Sequence, residues 1–377
     1  RRPWSVIHIN SSDVILGESP VWSSVNNCLY WIDIDGRRIH RTYQKANGEY
    51  HTDTIQLTII PGTLGLIENH PTWIWIGTDD GIHIFDWTTL ESCQIAPFPE
   101  SRQHRFNDGK VDPDGDIIIG SMITASDAKK RKDAGRVWRI SFQTKNHGRD
   151  GGNHLTLTPT PTQSVIHQPC TIPNGLDWAT SVASPSLSPL SPASSSSPLF
   201  SSSSSSSPSH SLFHIDTPTE CVTRLDQPKD RSASPCYTAS TVFSTKGLKD
   251  STGHSISGQP DGMVIDRDGF FWIAMPNSTP KCLSHVCRFS SRGELVLSYQ
   301  FPVSKVTSLC FGGPTMSDLF ITSASKGVKR ELEPLAGVIF HVRDAVGQNK
   351  CEHDINIDVD KGEIGSSRRG HGSGSSG

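Results

Sequence analysis

Short strand–turn–strand units recur along this chain, and the repetition constrains the fold more than any other feature. In the clearest unit, Pro260-Asp261-Gly262 leads into an apolar run, Asp268-Gly269 signals a tight hairpin turn, and an aromatic-rich run follows over residues 270–274. Similar units begin elsewhere at a strand start. Their first residues, with that of the clearest unit, are Glu18, Leu64, Asn107, Asn174, Asp261 and Val306.

The spacing of these units indicates the fold class. Successive starting residues lie 46, 43, 67, 87 and 45 positions apart. A period in the 40s with several short strands per unit is typical of a β-propeller blade, and helical periodicity is nearly absent. We therefore predict an all-β fold, a six-bladed β-propeller with long loop insertions.

The two long spacings contain polar insertions. More than half of residues 181–211 are serine, and such a composition cannot bury enough apolar surface to fold. We predict a single propeller over residues 1–345, a disordered insertion at a hairpin tip over residues 181–211, and a flexible polar tail over residues 346–377. A tolerated loop insertion is the preferred interpretation of the serine tract, and a phosphorylated or binding tract is the alternative.

Charge, hydropathy and cysteine usage narrow the partners. The net charge of -3 gives no sign of a nucleic-acid or acidic-membrane partner, and no apolar run approaches the roughly 20 residues that span a bilayer. Nine scattered cysteines without a Cys-x-x-Cys pair favour reduced thiols over a disulfide framework or a zinc site. No secretory signal is evident, although the chain does not begin with Met and could have lost a leader. We expect a cytoplasmic protein with no evident protein partner.

Polar residues at the strand starts predict a cation site. The first strand of each propeller blade lines the central channel, so these residues would meet at one end of it. Glu18, Asn174 and Asp261 would then supply three oxygen ligands from the first, fourth and fifth blades. Neighbouring carboxylates repel unless a cation lies between them. We predict one divalent cation: oxygen ligands suit Ca²⁺, Mg²⁺ or Mn²⁺, and Zn²⁺ also accepts them.

A simpler interpretation applies to each of these residues alone, because Asn, Asp and Gly commonly begin hairpins. Their recurrence at one position of the repeat favours the cation site.

Several motifs carry a family resemblance. In order, they are Leu16-Gly17-Glu18-Ser19-Pro20-Val21-Trp22, Tyr30-Trp31-Ile32-Asp33, Arg105-Phe106-Asn107-Asp108-Gly109-Lys110, Asn174-Gly175-Leu176-Asp177-Trp178, Pro260-Asp261-Gly262-Met263 and Thr307-Ser308-Leu309-Cys310-Phe311-Gly312-Gly313. As a set, they resemble the gluconolactonase, regucalcin and senescence-marker-protein family of six-bladed propellers, over residues 14–342.

The resemblance implies a function as well as a fold. It implies a divalent metal held by Glu18, Asn174 and Asp261, and substrate contacts from Arg105 and Asn107. The implied reaction is hydrolysis of a sugar-acid lactone, in which the metal polarises the carbonyl and Asp261 acts as the general base.

Two features leave alternatives open. The basic residues 129–132 do not align with any motif of the family; they could form a rim that favours an anionic substrate, although a solvated loop is preferred. A non-catalytic calcium-binding propeller or interaction module is the alternative to a lactonase. Retention of Arg105 and Asn107 together with the three ligands favours the enzyme, because a structural metal needs no substrate contacts.

Overall fold

Six antiparallel sheets of four strands each surround a common channel, which confirms the six-bladed propeller. The structure is a computed structural model that describes residues 3–7, 14–100, 103–124, 128–143, 160–180, 210–228, 236–250, 252–277, 279 and 283–346. The predicted serine-rich insertion, apart from its last two residues, and the predicted tail from residue 347 lie outside the described residues. Residues 210 and 211 belong to a strand and not to the insertion.

The first three blades follow the chain in order. Blade 1 consists of β2 (Gly17–Ser23), β3 (Cys28–Asp33), β4 (Arg38–Gln44) and β5 (Tyr50–Gln56). Blade 2 consists of β6 (Pro61–Leu66), β7 (Trp73–Thr78), β8 (Gly81–Asp86) and β9 (Ser92–Pro97). Blade 3 consists of β10 (His104–Val111), β11 (Ile117–Ile123), β12 (Gly135–Gln143) and β13 (Thr160–Cys170). A short helix, α1 (Ala128–Arg131), precedes β12 and contains part of the basic run.

The next two blades repeat the pattern. Blade 4 consists of β14 (Pro173–Thr180), β15 (His210–Asp216), β16 (Cys221–Asp226) and β17 (Thr238–Ser244), with a 3-10 turn at Thr217–Thr219. Blade 5 consists of β18 (Met263–Ile265), β19 (Phe271–Met275), β20 (Ser284–Phe289) and β21 (Leu295–Phe301). No helix among the described residues is long and apolar enough to cross a bilayer.

Blade 6 joins the two ends of the chain. Its first three strands from the channel outward are β22 (Val306–Gly312), β23 (Asp318–Ser323) and β24 (Ile339–Val342), and its outer strand is β1 (Trp4–Ile7). β1 pairs antiparallel with β24, with Trp4 opposite Val342 and Ile7 opposite Ile339. The N-terminal strand therefore closes the ring, which the sequence analysis did not predict.

The hydrophobic core is divided among the boundaries between blades. Each of six buried clusters combines side chains of two neighbouring blades; for example, Trp272 of blade 5 and Phe340 of blade 6 belong to one of them. Strands that are apolar on both faces, such as Cys28–Asp33, follow from this arrangement because each sheet is covered on two sides. Burial between blades thus fixes how the inner strands meet at the channel.

The inner strands β2, β6, β10, β14, β18 and β22 form a closed ring around the channel. Five of them carry a bulge near the strand start, at Glu18/Val21, Pro61/Thr63, Phe106/Gly109, Asn174/Asp177 and Val306/Leu309. In blade 5, Asp261 N donates to Ala274 O while Ala274 N donates to Gly262 O, both at 2.9 Å. Bulges re-aim side chains, so this recurring irregularity distinguishes the channel end where the inner strands begin.

Candidate metal and substrate site

A chain of side-chain hydrogen bonds links blades 3 and 4 at the channel end where the inner strands begin. Arg105 Nη1 donates to Asn107 Oδ1 at 2.7 Å and to the carbonyl of Phe106 at 2.8 Å. Asn107 Nδ2 donates to Asn174 Oδ1 at 2.5 Å and to the carbonyl of Pro173 at 2.9 Å. Both asparagines are more than nine-tenths buried, so these bonds fix their amide orientations.

A second set of contacts links blade 4 to blade 5. Asn174 Nδ2 donates to Thr217 Oγ1 at 2.8 Å, and Thr217 Oγ1 donates to the carbonyl of Pro260 at 2.9 Å. Gly175 has a positive φ of 55°, and a Cβ there would lie 2.8 Å from the carbonyl oxygen of Asp261. The Asn-Gly pair therefore allows the two strand starts to approach closely, next to Asp261.

Three carboxyl groups share this end of the channel. Burial raises the pKa of Glu18 well above its usual range, and the charges of Asp261 and Asp108 raise it further. Burial and then the charge of Asp108 raise the pKa of Asp261 to about 8. Burial also raises the pKa of Asp108, although Lys110 and backbone N–H groups partly oppose this effect. Glu18 and Asp261 are close enough for their charges to interact.

The donor set fits a divalent cation. Arg105 lowers the pKa of Glu18 without offsetting the effects that raise it, and no cationic group among the described residues lowers that of Asp261. Like charges in a desolvated site are unfavourable, and a bound cation removes their repulsion. Asn174 Oδ1 accepts one hydrogen bond, from Asn107, and an amide oxygen has a second lone pair for a metal.

Arg105 is the cationic group of the site. Burial lowers the pKa of its guanidinium, while Glu18, Asp35 and Asp79 act in the opposite direction. An arginine stays charged near neutral pH despite such an effect. Among the described residues, its hydrogen bonds use Nη1 alone, so Nε and Nη2 can bind an oxygen-rich ligand.

Asp108 is the site residue that the sequence analysis missed. Its carboxylate accepts hydrogen bonds from Gly109 N at 2.8 Å and Leu176 N at 3.4 Å. It also lines a channel cavity of about 270 Å³ together with Ser19, Lys110 and Leu309. The lining residues follow the strand starts along the inner strands, so this cavity lies deeper in the channel than Glu18 and Asp261. In the sequence, Asp108 lies between Asn107 and Gly109, a combination that is also typical of an ordinary turn.

The structure brings all five residues singled out in the sequence to one end of the channel. Arg105, Asn107 and Asn174 are joined by hydrogen bonds, and Glu18 interacts electrostatically with Arg105 and Asp261. Their roles as ligands, substrate contacts and base remain predictions.

Comparison with known proteins finds similarity along most of the chain. Residues 16–183 and 204–325 match the family model described as the SMP-30/Gluconolactonase/LRE-like region. Regucalcin of Gallus gallus is 27% identical over 342 residues, which cover 89% of this chain and 92% of the relative. The 6-deoxy-6-sulfogluconolactonase of Pseudomonas putida is 27% identical over 333 residues, which cover 87% of this chain and 91% of that enzyme.

Solved structures share the fold. A calcium-binding protein, regucalcin, from Agrobacterium tumefaciens superposes with a TM-score of 0.65 at 19% identity, covering 91% of this chain and 95% of its own. A gluconolactonase from Xanthomonas campestris superposes with a TM-score of 0.55 at 16% identity, covering 88% of this chain and 86% of its own. At these identities the likeness concerns the fold alone.

Proposed function

Since this chain belongs to the SMP-30/gluconolactonase/LRE-like family, we propose that it is a divalent-metal-dependent hydrolase that opens a sugar-acid lactone. One observation carries the proposal: carboxyl groups with raised pKa values lie beside the Arg105–Asn107–Asn174 chain at one end of the channel. The relatives named as lactonases support the choice of substrate class.

The metal would be held by Glu18, Asn174 and Asp261. When bound, a divalent cation supplies Lewis-acid polarisation of a carbonyl oxygen. Asn107 keeps Asn174 Oδ1 in place through its amide, so it contributes to the site whether or not it touches the substrate. Calcium, zinc, magnesium and manganese all remain candidates because each accepts oxygen ligands.

Asp261 acts as the general base in this proposal. It accepts a proton from the attacking water, whose oxygen forms a bond to the lactone carbonyl carbon. The ring C–O bond then breaks, and the proton passes from Asp261 to the leaving hydroxyl. A bound cation would keep Asp261 ionised near neutral pH, as a general base must be, while the charge of Asp108 raises its proton affinity.

Arg105 positions the substrate. Its planar fork matches the oxygens of a lactone or a sugar hydroxyl pair, and its Nη1 is held by Asn107 and the Phe106 carbonyl. A fixed donor of this kind reduces the entropy lost when the substrate is oriented.

Hydrolysis of an aldonolactone such as gluconolactone tests the proposal. We expect proton release that requires an added divalent cation, and a fall in kcat of at least about 100-fold for Asp261→Asn. Asp268→Asn is the matched control: Asp268 lies in the same blade, in an exposed hairpin turn. Asp261→Asn activity equal to that of the control would move the chemistry to another residue.

A non-catalytic calcium-binding propeller is the second candidate. The description of the Agrobacterium regucalcin as a calcium-binding protein favours it, because the same carboxyl groups could serve binding alone. The Arg105→Ala variant distinguishes a lactonase from a non-catalytic binding protein. In an enzyme it keeps cation binding and loses turnover, whereas a binding protein shows no lactone turnover before or after the change.

A further inference from the structure

His167, Cys170 and His214 form a cluster outside the channel, at the boundary between blades 3 and 4. His167 and Cys170 lie on β13, the outer strand of blade 3, and His214 lies on β15 of blade 4. One ligand atom from each lies within 4.8 Å of the others. The two imidazole rings meet edge to face with centroids 5.0 Å apart.

The burial of this cluster calls for a ligand. Cys170 is fully buried and His214 is 1% exposed. Neither Nδ1 nor Nε2 of His214 has a hydrogen-bond partner among the described residues. A buried imidazole without partners loses the hydrogen bonds that water gives it, which is costly unless another group replaces them. A neutral imidazole has an unprotonated ring nitrogen, and a metal bond at that atom would replace a missing hydrogen bond.

We propose that His167, Cys170 and His214 bind a zinc ion. Two imidazole nitrogens and one thiolate form a ligand set that Zn²⁺ accepts with tetrahedral geometry, whereas Ca²⁺ and Mg²⁺ prefer oxygen. Tetrahedral bond lengths place such ligand atoms roughly 3.3–3.6 Å apart. Because the three atoms lie within 4.8 Å of one another, they would draw together on binding. A zinc ion with three protein ligands takes water as its fourth, which the half-buried side of His167 can admit.

Zinc binding at this cluster would release one proton. The Cys170 thiol loses its proton to solvent as the sulfur–zinc bond forms, and the two imidazoles bind in their neutral forms. Asp216 supports the geometry without acting as a ligand: its Oδ1 accepts from Thr171 N at 3.1 Å and from Ile172 N at 2.8 Å. These bonds tie the segment after Cys170 to the end of β15, two residues from His214.

The site would fasten two blades together. Cys170 belongs to the buried cluster at the boundary of blades 3 and 4, and these blades carry Asn107 and Asn174. Both also contain an insertion whose central residues, 144–159 and 181–209, lie outside the described residues. A metal ion bound across this boundary would fix the positions of Asn107 and Asn174 relative to each other.

Cobalt substitution tests this inference. The full chain, stripped of metal, is titrated with Co²⁺ and then Zn²⁺ while the near-ultraviolet absorption is followed. We expect a thiolate–cobalt charge-transfer band from the Cys170 sulfur. The channel site cannot produce this band, because its proposed ligands are all oxygen atoms. Zn²⁺ should abolish the band and raise the Tm.

Variants assign the band to the cluster. Cys170→Ser should lose it, and His167→Gln, at a half-buried position that tolerates change better, should lose or strongly weaken it. Cys287→Ser is the matched control, because Cys287 is equally buried, is also a free thiol, and lies in blade 5. Asp261→Asn should keep the band, which makes this result independent of the proposed lactonase activity. Absence of a band in the wild-type chain, or its persistence in Cys170→Ser, would overturn the inference.

Discussion

The raised pKa values of Glu18 and Asp261 make the stability of the metal-free protein depend on pH. An aspartate in an unfolded chain has a pKa of about 3.9, whereas that of Asp261 is raised to about 8 in the fold. Between these values, the native state holds a proton that the unfolded state has lost. The contribution of Asp261 to the free energy of unfolding therefore falls as pH rises from about 4 to about 8. Below about pH 6.5, the buried histidines His40 and His214, whose pKa values are lowered to about 3, act in the opposite direction, so the fall is expected above neutral pH.

Thermal unfolding of chelator-treated protein at intervals from pH 7 to pH 8 measures this dependence. We expect the Tm to fall across the range, and a saturating divalent cation to restore it most strongly near pH 8. Asp261→Asn should flatten the metal-free profile because it removes a titrating group, while Asp268→Asn should leave the slope unchanged. A metal-free Tm that rises toward pH 8 would contradict the raised pKa values.

At the scale of structural elements, two hairpins of blades 3 and 5 share one design. In blade 5, Asp266 Oδ1 accepts from the backbone N–H groups of Asp268 and Phe270, and Asp266 Oδ2 accepts from Arg288 Nη2 at 2.7 Å. Arg288 lies over the ring of Phe270, 3.9 Å from its centroid. In blade 3, Asp112 and Arg139 form the corresponding pair. An arginine on the third strand thus fixes the turn between the first two.

Removing this arginine should destabilise blade 5. Arg288 is 2% exposed and Asp266 is 6% exposed, so Arg288→Met would leave a buried carboxylate without its cation. We expect a loss of about 3–5 kcal/mol in the free energy of unfolding, measured by denaturant titration. Arg224→Met is the control, because Arg224 pairs with Asp226 on the exposed surface of blade 4 and should change stability by less than about 1 kcal/mol. Equal effects of the two substitutions would refute a structural role for the buried pair.

The elements that the sequence predicted share a local signal. The hairpin around Asp268-Gly269 was predictable because the turn residues and the apolar and aromatic strand residues lie within one short stretch. The six blades followed because that stretch repeats. The cluster of His167, Cys170 and His214 was not predictable, since His167 and His214 lie far apart in the sequence and no spacing motif joins them.

At the scale of the whole molecule, closure of the ring could not be predicted from local sequence patterns. β1 pairs with β24 across almost the full length of the chain, and Trp4 packs into the cluster between blades 5 and 6. Residues 4–7 have the sequence pattern of a strand, but nothing in the sequence indicates which strand they pair with. Asp108 was missed for a related reason: its importance depends on Glu18 and Asp261, which only the closed ring brings near it.

The strand pairing on either side of the serine-rich insertion predicts that the chain tolerates its loss. Thr180 and His210 form a backbone pair at the end of the β14–β15 hairpin. An Asn-Gly turn in place of residues 181–209 would therefore connect them directly. Because each halving of a flexible loop stabilises by about 0.6 kcal/mol, we expect an equal or higher free energy of unfolding. Lactone turnover and cation affinity should not change, since Asn174 lies near the opposite end of β14.

A chain with residues 181–209 shuffled in order is the control, because it keeps the length and composition of the insertion. If the segment is only a tolerated insertion, the shuffled chain should match the wild type in Tm and activity, and the shortened chain should match or exceed it. Lower stability or activity in both variants would show that the order of these residues matters. The alternative of a binding or phosphorylated tract would then replace the loop interpretation. Because β15 carries His214 as well as pairing with β14, cobalt titration of the shortened chain would also show whether the boundary between blades 3 and 4 is preserved.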